Sequence, residues 1–149
     1  EQLLPTPAKS HYTYNMRDMS KVFQGIQMLG VPLSDPRQLV RLWVHETLRV
    51  FHDRLINDDD RAWFCGLVRD MVNKHMGLKF DKVFEDYADE GEVSLGSLRK
   101  MLFADFLTQD PDSQKYEEVQ DQAALLSCIE EFLSDYNAQS KSRMDLVLF

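Results

Sequence analysis

His45, Glu46 and His52 are the residues whose types come nearest to a metal site. A zinc-protease helix carries two histidines four residues apart, so that both rings reach one ion with a glutamate beside them. The position four after His45 is Arg49, a cation where a ligand is required. His52 lies seven residues on, two helical turns away. The pattern therefore reads as a polar helix face with ordinary i, i+4 contacts. The stretch Asp86–Ser97 opens like a calcium loop, with Asp86 first and Gly91 sixth. Such a loop also needs an oxygen ligand at its third position and a bidentate glutamate at its twelfth. Ala88 and Ser97 stand there, so the stretch reads as a solvated acidic loop. None of the six glycines forms a phosphate-cradling pattern. No serine, histidine and acid arrangement stands out, and neither Cys65 nor Cys128 has the basic flank that activates a thiolate.

Charge narrows the partners. The 149 residues carry a formal net charge of −8, which argues against nucleic acid or an anionic membrane as the main partner. Hydrophobic residues at 44% and charged residues at 28% fit one globular domain with a real core. Two cysteines make no disulfide framework, and both are expected to be reduced and buried. No apolar run approaches the roughly 20 residues of a membrane helix, and no signal segment opens the chain. Glu1 in place of a methionine, and the apolar end Leu146–Phe149, suggest a piece cut from something larger.

The elements follow from caps and periodicity. Pro5 and Pro7 make residues 1–14 an extended connector, with Tyr12 and Tyr14 as a packing arm. A first helix is predicted from Asn15, with Asp18 completing a capping box and Met16, Met19, Val22, Phe23, Ile26 and Leu29 on one face; Gly30 and Pro32 end it. A second starts at Asp35, with Pro36 in its first turn and Gln38 completing a capping pair. It runs to about Asn57, its stripe built on Val40, Val44, Leu48, Phe51 and Leu55. The acids Asp58–Asp60 start a third, closed by Gly77. Residues 78–118 are too short in apolar period to choose helix or strand, and Asp110–Ser113 reads as a turn. A last helix is predicted over about Glu118–Tyr136, then a polar linker, Ala138–Arg143. The methionine and aromatic stripes read as core. Composition and period alone give an acidic helical domain.

Longer motifs say more. Leu4-Pro5-Thr6-Pro7-Ala8-Lys9-Ser10-His11-Tyr12-Thr13-Tyr14-Asn15-Met16-Arg17-Asp18, continued by Ser20-Lys21-Val22-Phe23-Gln24-Gly25, resembles the entry to the small domain of the third AAA+ module of dynein heavy chains. Leu42-Trp43-Val44-His45-Glu46, Arg49-Val50-Phe51 and Asp53-Arg54-Leu55 resemble the next helix of that domain. Leu146–Phe149 is similar to the family's approach to its fourth module, and the form of Asn15–Asp18 is similar to the axonemal rather than the cytoplasmic members.

The resemblance implies a mainly α fold, an AAA+ lid-like helical bundle with a less regular segment at 78–118. It implies a connector at 1–14, the lid at 15–137 and a link to the next module at 138–149, with one or two lid helices preceding residue 1. It also implies that Arg17 is a sensor-2 arginine, reaching the phosphates of Mg-ATP or Mg-ADP in the intact module; the residue-level alternative is a pair with Asp18 or a neighbour. Catalytic residues and metal ligands are not expected in this stretch, which is predicted inactive alone. The implied partners are neighbouring AAA+ modules and, through the parent protein, microtubules and other dynein subunits, in the axoneme of a cilium or flagellum. Arg41, Arg49 and Arg54 either touch a neighbouring module, or are solvated or paired with Glu46, Asp53 and Asp58. The alternative in another class is a free-standing helical adaptor with no nucleotide role.

Overall fold

The computed structural model describes residues 3–29, 35–107 and 114–147. The predicted stops at Gly30 and Pro32, the turn at Asp110–Ser113 and the end of the chain at Phe149 lie outside these. The element order is α1 (Met16–Gln27), α2 (Pro36–Thr47), a π-turn (Leu48–His52), α3 (Asp58–His75), α4 (Phe80–Val83), α5 (Leu95–Arg99), β1 (Phe103–Ala104), β2 (Glu117–Glu118) and α6 (Gln122–Gln139). The fold is mainly α, as expected for an AAA+ lid.

Local chemistry starts each long helix. Asn15 Oδ1 accepts from the N–H groups of Arg17 and Asp18, while Asp18 accepts from the N–H of Asn15, which closes the expected capping box. Asp35 caps α2 through the N–H of Arg37, with Pro36 in the first turn. Asn57 caps α3 through the N–H of Asp60, ahead of the three acids.

The predicted second helix is not α throughout. After Thr47 it widens, and the N–H of Asp53 reaches the carbonyl of Leu48, five residues back, at 3.1 Å. Nothing in Leu48–His52 is a helix breaker, so periodicity could not reveal the change. In this widened turn Leu48, Val50 and His52 are all buried.

The main core is built by Val40, Val44, Leu48 and Leu55 against Phe64, Val68 and Val72 of α3 and Phe80, Val83 and Phe84 beyond it. Tyr12 reaches into the same core from the connector. Its hydroxyl donates to Asp60 at 2.9 Å and accepts from the N–H of Ile56 at 3.0 Å.

Residues 78–107 and 114–118 resolve into short pieces. β1 and β2 pair antiparallel, Phe103 opposite Glu118 and Ala104 opposite Glu117. Glu118 therefore lies in a strand, and α6 starts four residues later than predicted, capped by Asp121. The acidic loop is a tight hairpin: Asp89 and Glu92 exchange both backbone bonds at 3.0 Å across Glu90 and Gly91, which both take positive φ. The Asp89 carboxylate is taken by Lys100 and by Ser97. The cysteines differ from expectation in being only half-buried.

Candidate functional site

The first turn of α1 presents Arg17. Its side chain is exposed and makes no hydrogen bond or ion pair among the described residues. The pairing with Asp18 considered from sequence is not formed. Asp18 is buried and turned the other way, accepting from both terminal nitrogens of Arg54 at 3.0 and 3.4 Å, with Lys21 Nζ at 3.6 Å. These bonds from Arg54, together with the cap N–H of Asn15, hold the Asp18 carboxyl below the usual carboxylate range. Arg54 Nε donates to the carbonyl of Val50 and a terminal nitrogen donates to that of Thr13. The guanidinium lies 5.5 Å from the centre of the Tyr14 ring.

A second polar centre lies under α1. Glu46 is fully buried, so it is not part of a solvated helix face. Its carboxylate accepts from Arg49 at 2.6 Å and from the hydroxyl of Tyr116 at 2.6 Å. Gly25 of α1 packs directly on it: a Cβ at that glycine would stand 2.2 Å from Glu46 Cδ. Burial and the Glu46 contact both push the Tyr116 hydroxyl pKa well above the usual value. One sequence signal pointed here. Leu42, also fully buried, shares the Glu46 face, so α2 is covered on two sides.

A third centre joins α2 to the irregular region. Arg41 donates to the carbonyl of Val83 at 2.8 Å, to Glu118 at 3.1 Å and to Asp86. Tyr87 also donates to Glu118. Of the three arginines, Arg49 pairs with Glu46 as read from sequence. Arg41 and Arg54 pair with distant acids instead of Asp53 or Asp58, which periodicity cannot foresee.

His45 and His52 do not converge. The His45 ring lies tilted against Phe103, ring centres 5.0 Å apart. His52 is buried with its Nδ1 3.4 Å from Asp53, and its Nε2 has no hydrogen-bond partner among the described residues. Burial lowers the pKa of both rings. Among the described residues no group of three or more His, Cys, Asp and Glu can hold a metal ion. No helix there is long and apolar enough to cross a membrane.

The methionine stripe is not core. Met19 and Phe23 of α1 stand exposed, and with Trp43, Phe51, Leu67 and Met71 they line an apolar groove of about 430 Å³ between α1, α2 and α3. Taken together, these groups offer one unpaired cation at a helix start, three internal polar braces and an open apolar groove. They can contact an anion and pack against a partner.

A family model described as an AAA+ lid domain matches residues 1–94. The chain is 44% identical over 99% of its length to dynein axonemal heavy chain 1 of Rattus norvegicus, of which it covers 3%. It is 38% identical over its whole length to dynein axonemal heavy chain 3 of Mus musculus, covering 4% of that protein. It is 40% identical over 99% of its length to dynein axonemal heavy chain 12 of Mus musculus, covering 5%.

Proposed function

This chain belongs to the AAA+ lid domain family, and from that premise we propose that it is the lid of a nucleotide-binding module in an axonemal dynein heavy chain. In this reading the module is the third of its chain. Arg17 senses whether nucleotide is bound there, and the lid passes the change to the next module through residues 138–149. The parent protein drives ciliary or flagellar beating along microtubules.

The observation that carries the reading is the state of Arg17. It stands in the first turn of α1, exposed and unpaired, where the positive end of the helix favours an anion. A guanidinium adds two parallel hydrogen bonds to a phosphate. In this reading the groups that cut the phosphate bond belong to other parts of the module, and the lid reports on nucleotide. Bound Mg-ATP would supply the phosphate charge that Arg17 reads.

Arg17→Ala in the parent heavy chain tests this. Loss of one charged phosphate contact is expected to weaken nucleotide binding about tenfold or more and to slow microtubule gliding. Unchanged affinity and gliding would sink the sensing role. The apolar groove favours a second reading, a helical adaptor that binds partner helices. On that reading Arg17→Ala leaves nucleotide binding unaltered, and substitutions in the groove abolish capture of the partner.

A further inference from the structure

We propose that Arg54 is a positioning residue for Arg17: it cancels the charge of Asp18 and locks the first turn of α1, leaving Arg17 free to face a phosphate. This rests on the nucleotide reading of Arg17. The capping box uses the carboxylate of Asp18, whose Oδ2 takes the N–H of Asn15 at 3.2 Å. That same carboxylate is next in sequence to Arg17, in the turn where a phosphate must arrive. Left uncancelled, its charge offsets the positive potential of the helix end and repels the incoming anion. Asp18 is only 5% exposed, so water screens it little.

Arg54 answers both needs at once. Its two terminal nitrogens engage the two oxygens of Asp18, while its remaining bonds go to the carbonyls of Thr13 and Val50. One guanidinium thus ties the end of the connector, the start of α1 and the π-turn into one unit. Adjacent residues on a helix point about 100° apart, so Asp18 turned inward to Arg54 leaves Arg17 turned outward. Lys21 at 3.6 Å adds charge to Asp18 but bonds neither carbonyl. A lysine at 54 would supply a point charge without the fork needed to hold all three segments.

The test is made in the parent heavy chain, reading the affinity of the module closed by this lid with a fluorescent ADP. Arg54→Gln is expected to weaken binding about tenfold. Arg54→Lys is expected to weaken it about threefold. The pair Asp18→Asn with Arg54→Gln is expected to recover most of the loss, because it removes the opposing charge with its canceller. An Arg54 that acts only by bridging the carbonyls of Thr13 and Val50 gives no such rescue, so a double variant as weak as Arg54→Gln overturns the proposal. Arg17→Ala is run alongside. If it weakens binding and Arg54→Gln does not, the positioning role fails and the sensing role stands. If Arg17→Ala changes nothing, both fall. Limited proteolysis of the parent heavy chain shows whether Arg54→Gln folds; if it does not, Arg54→Lys decides, and wild-type affinity for that variant overturns the proposal.

Discussion

The helices α2 and α6 both carry an apolar stripe at helical spacing, and they end in opposite environments. α2 buries Val40, Leu42 and Val44, and even its Arg41 and Glu46, between α1 on one side and the α3–α4 region on the other. α6 has eighteen residues and buries none of them. Leu125, Leu126, Ile129, Phe132, Leu133 and Tyr136 span a face about 120° wide, and Phe106 meets it through Phe132, ring centres 6.2 Å apart, and through the Cys128 thiol. Periodicity says which face of a helix wants cover. It does not say whether the cover lies within the same stretch of chain.

The largest effect that can break this contrast compares two phenylalanines. Phe84 is fully buried, and Phe84→Ala is expected to cost about 3–5 kcal/mol in urea unfolding. Phe132 is 43% exposed, and Phe132→Ala is expected to cost less than about 1 kcal/mol. Equal losses would mean that α6 is packed in solution.

A smaller effect sharpens the α2 side. Gly25→Ala drives a methyl into the buried Glu46 carboxylate, which Tyr116 and Arg49 hold in place. The expected loss is about 1–3 kcal/mol; a neutral outcome would show that Glu46 yields freely.

The smallest effect is the response to acid. Burial keeps His45 and His52 neutral in the fold at pH values where the unfolded chain takes up protons. Their folded pKa lies below the unfolded value of about 6.5. Stability is therefore full above that value and falls as pH drops through the window beneath it. Asp18, Asp35, Asp60 and Asp89 are depressed, so their contribution holds above about pH 4 and fades below. His52→Leu is expected to flatten the limb between pH 7 and 5 in urea midpoints, since the ring meets Asp53 on one nitrogen and no hydrogen-bond partner among the described residues on the other. An equal fall in the variant would assign the limb elsewhere.

Much of this was legible where local chemistry decides. Asn15 with Asp18, Asp35 with Pro36, and the three acids Asp58–Asp60 each state where a helix begins, because orphan N–H groups need acceptors within a few residues, whereas Asn57, expected to end the second helix, caps the third. What stayed hidden depends on partners distant in sequence. Glu46 looked solvated until Tyr116, seventy residues on, was seen to hold it. Glu118 looked helical until Phe103 paired with it. Arg17 was read through resemblance, and its freedom depends on Arg54 occupying Asp18, which no spacing announces.

The end of α6 has a mechanical consequence. Asn137 donates from Nδ2 to the carbonyl of Met144 at 2.9 Å and accepts the N–H of Met144 at 2.8 Å. The amide thus grips one backbone unit as a neighbouring strand would. The loop of residues 138–143 is bypassed by this grip. A pull on the residues after Met144 reaches the last turn of α6 directly, through two bonds loaded together, so slack in the loop is not taken up first. A single side-chain amide ties the backbone after the loop to the last turn of α6.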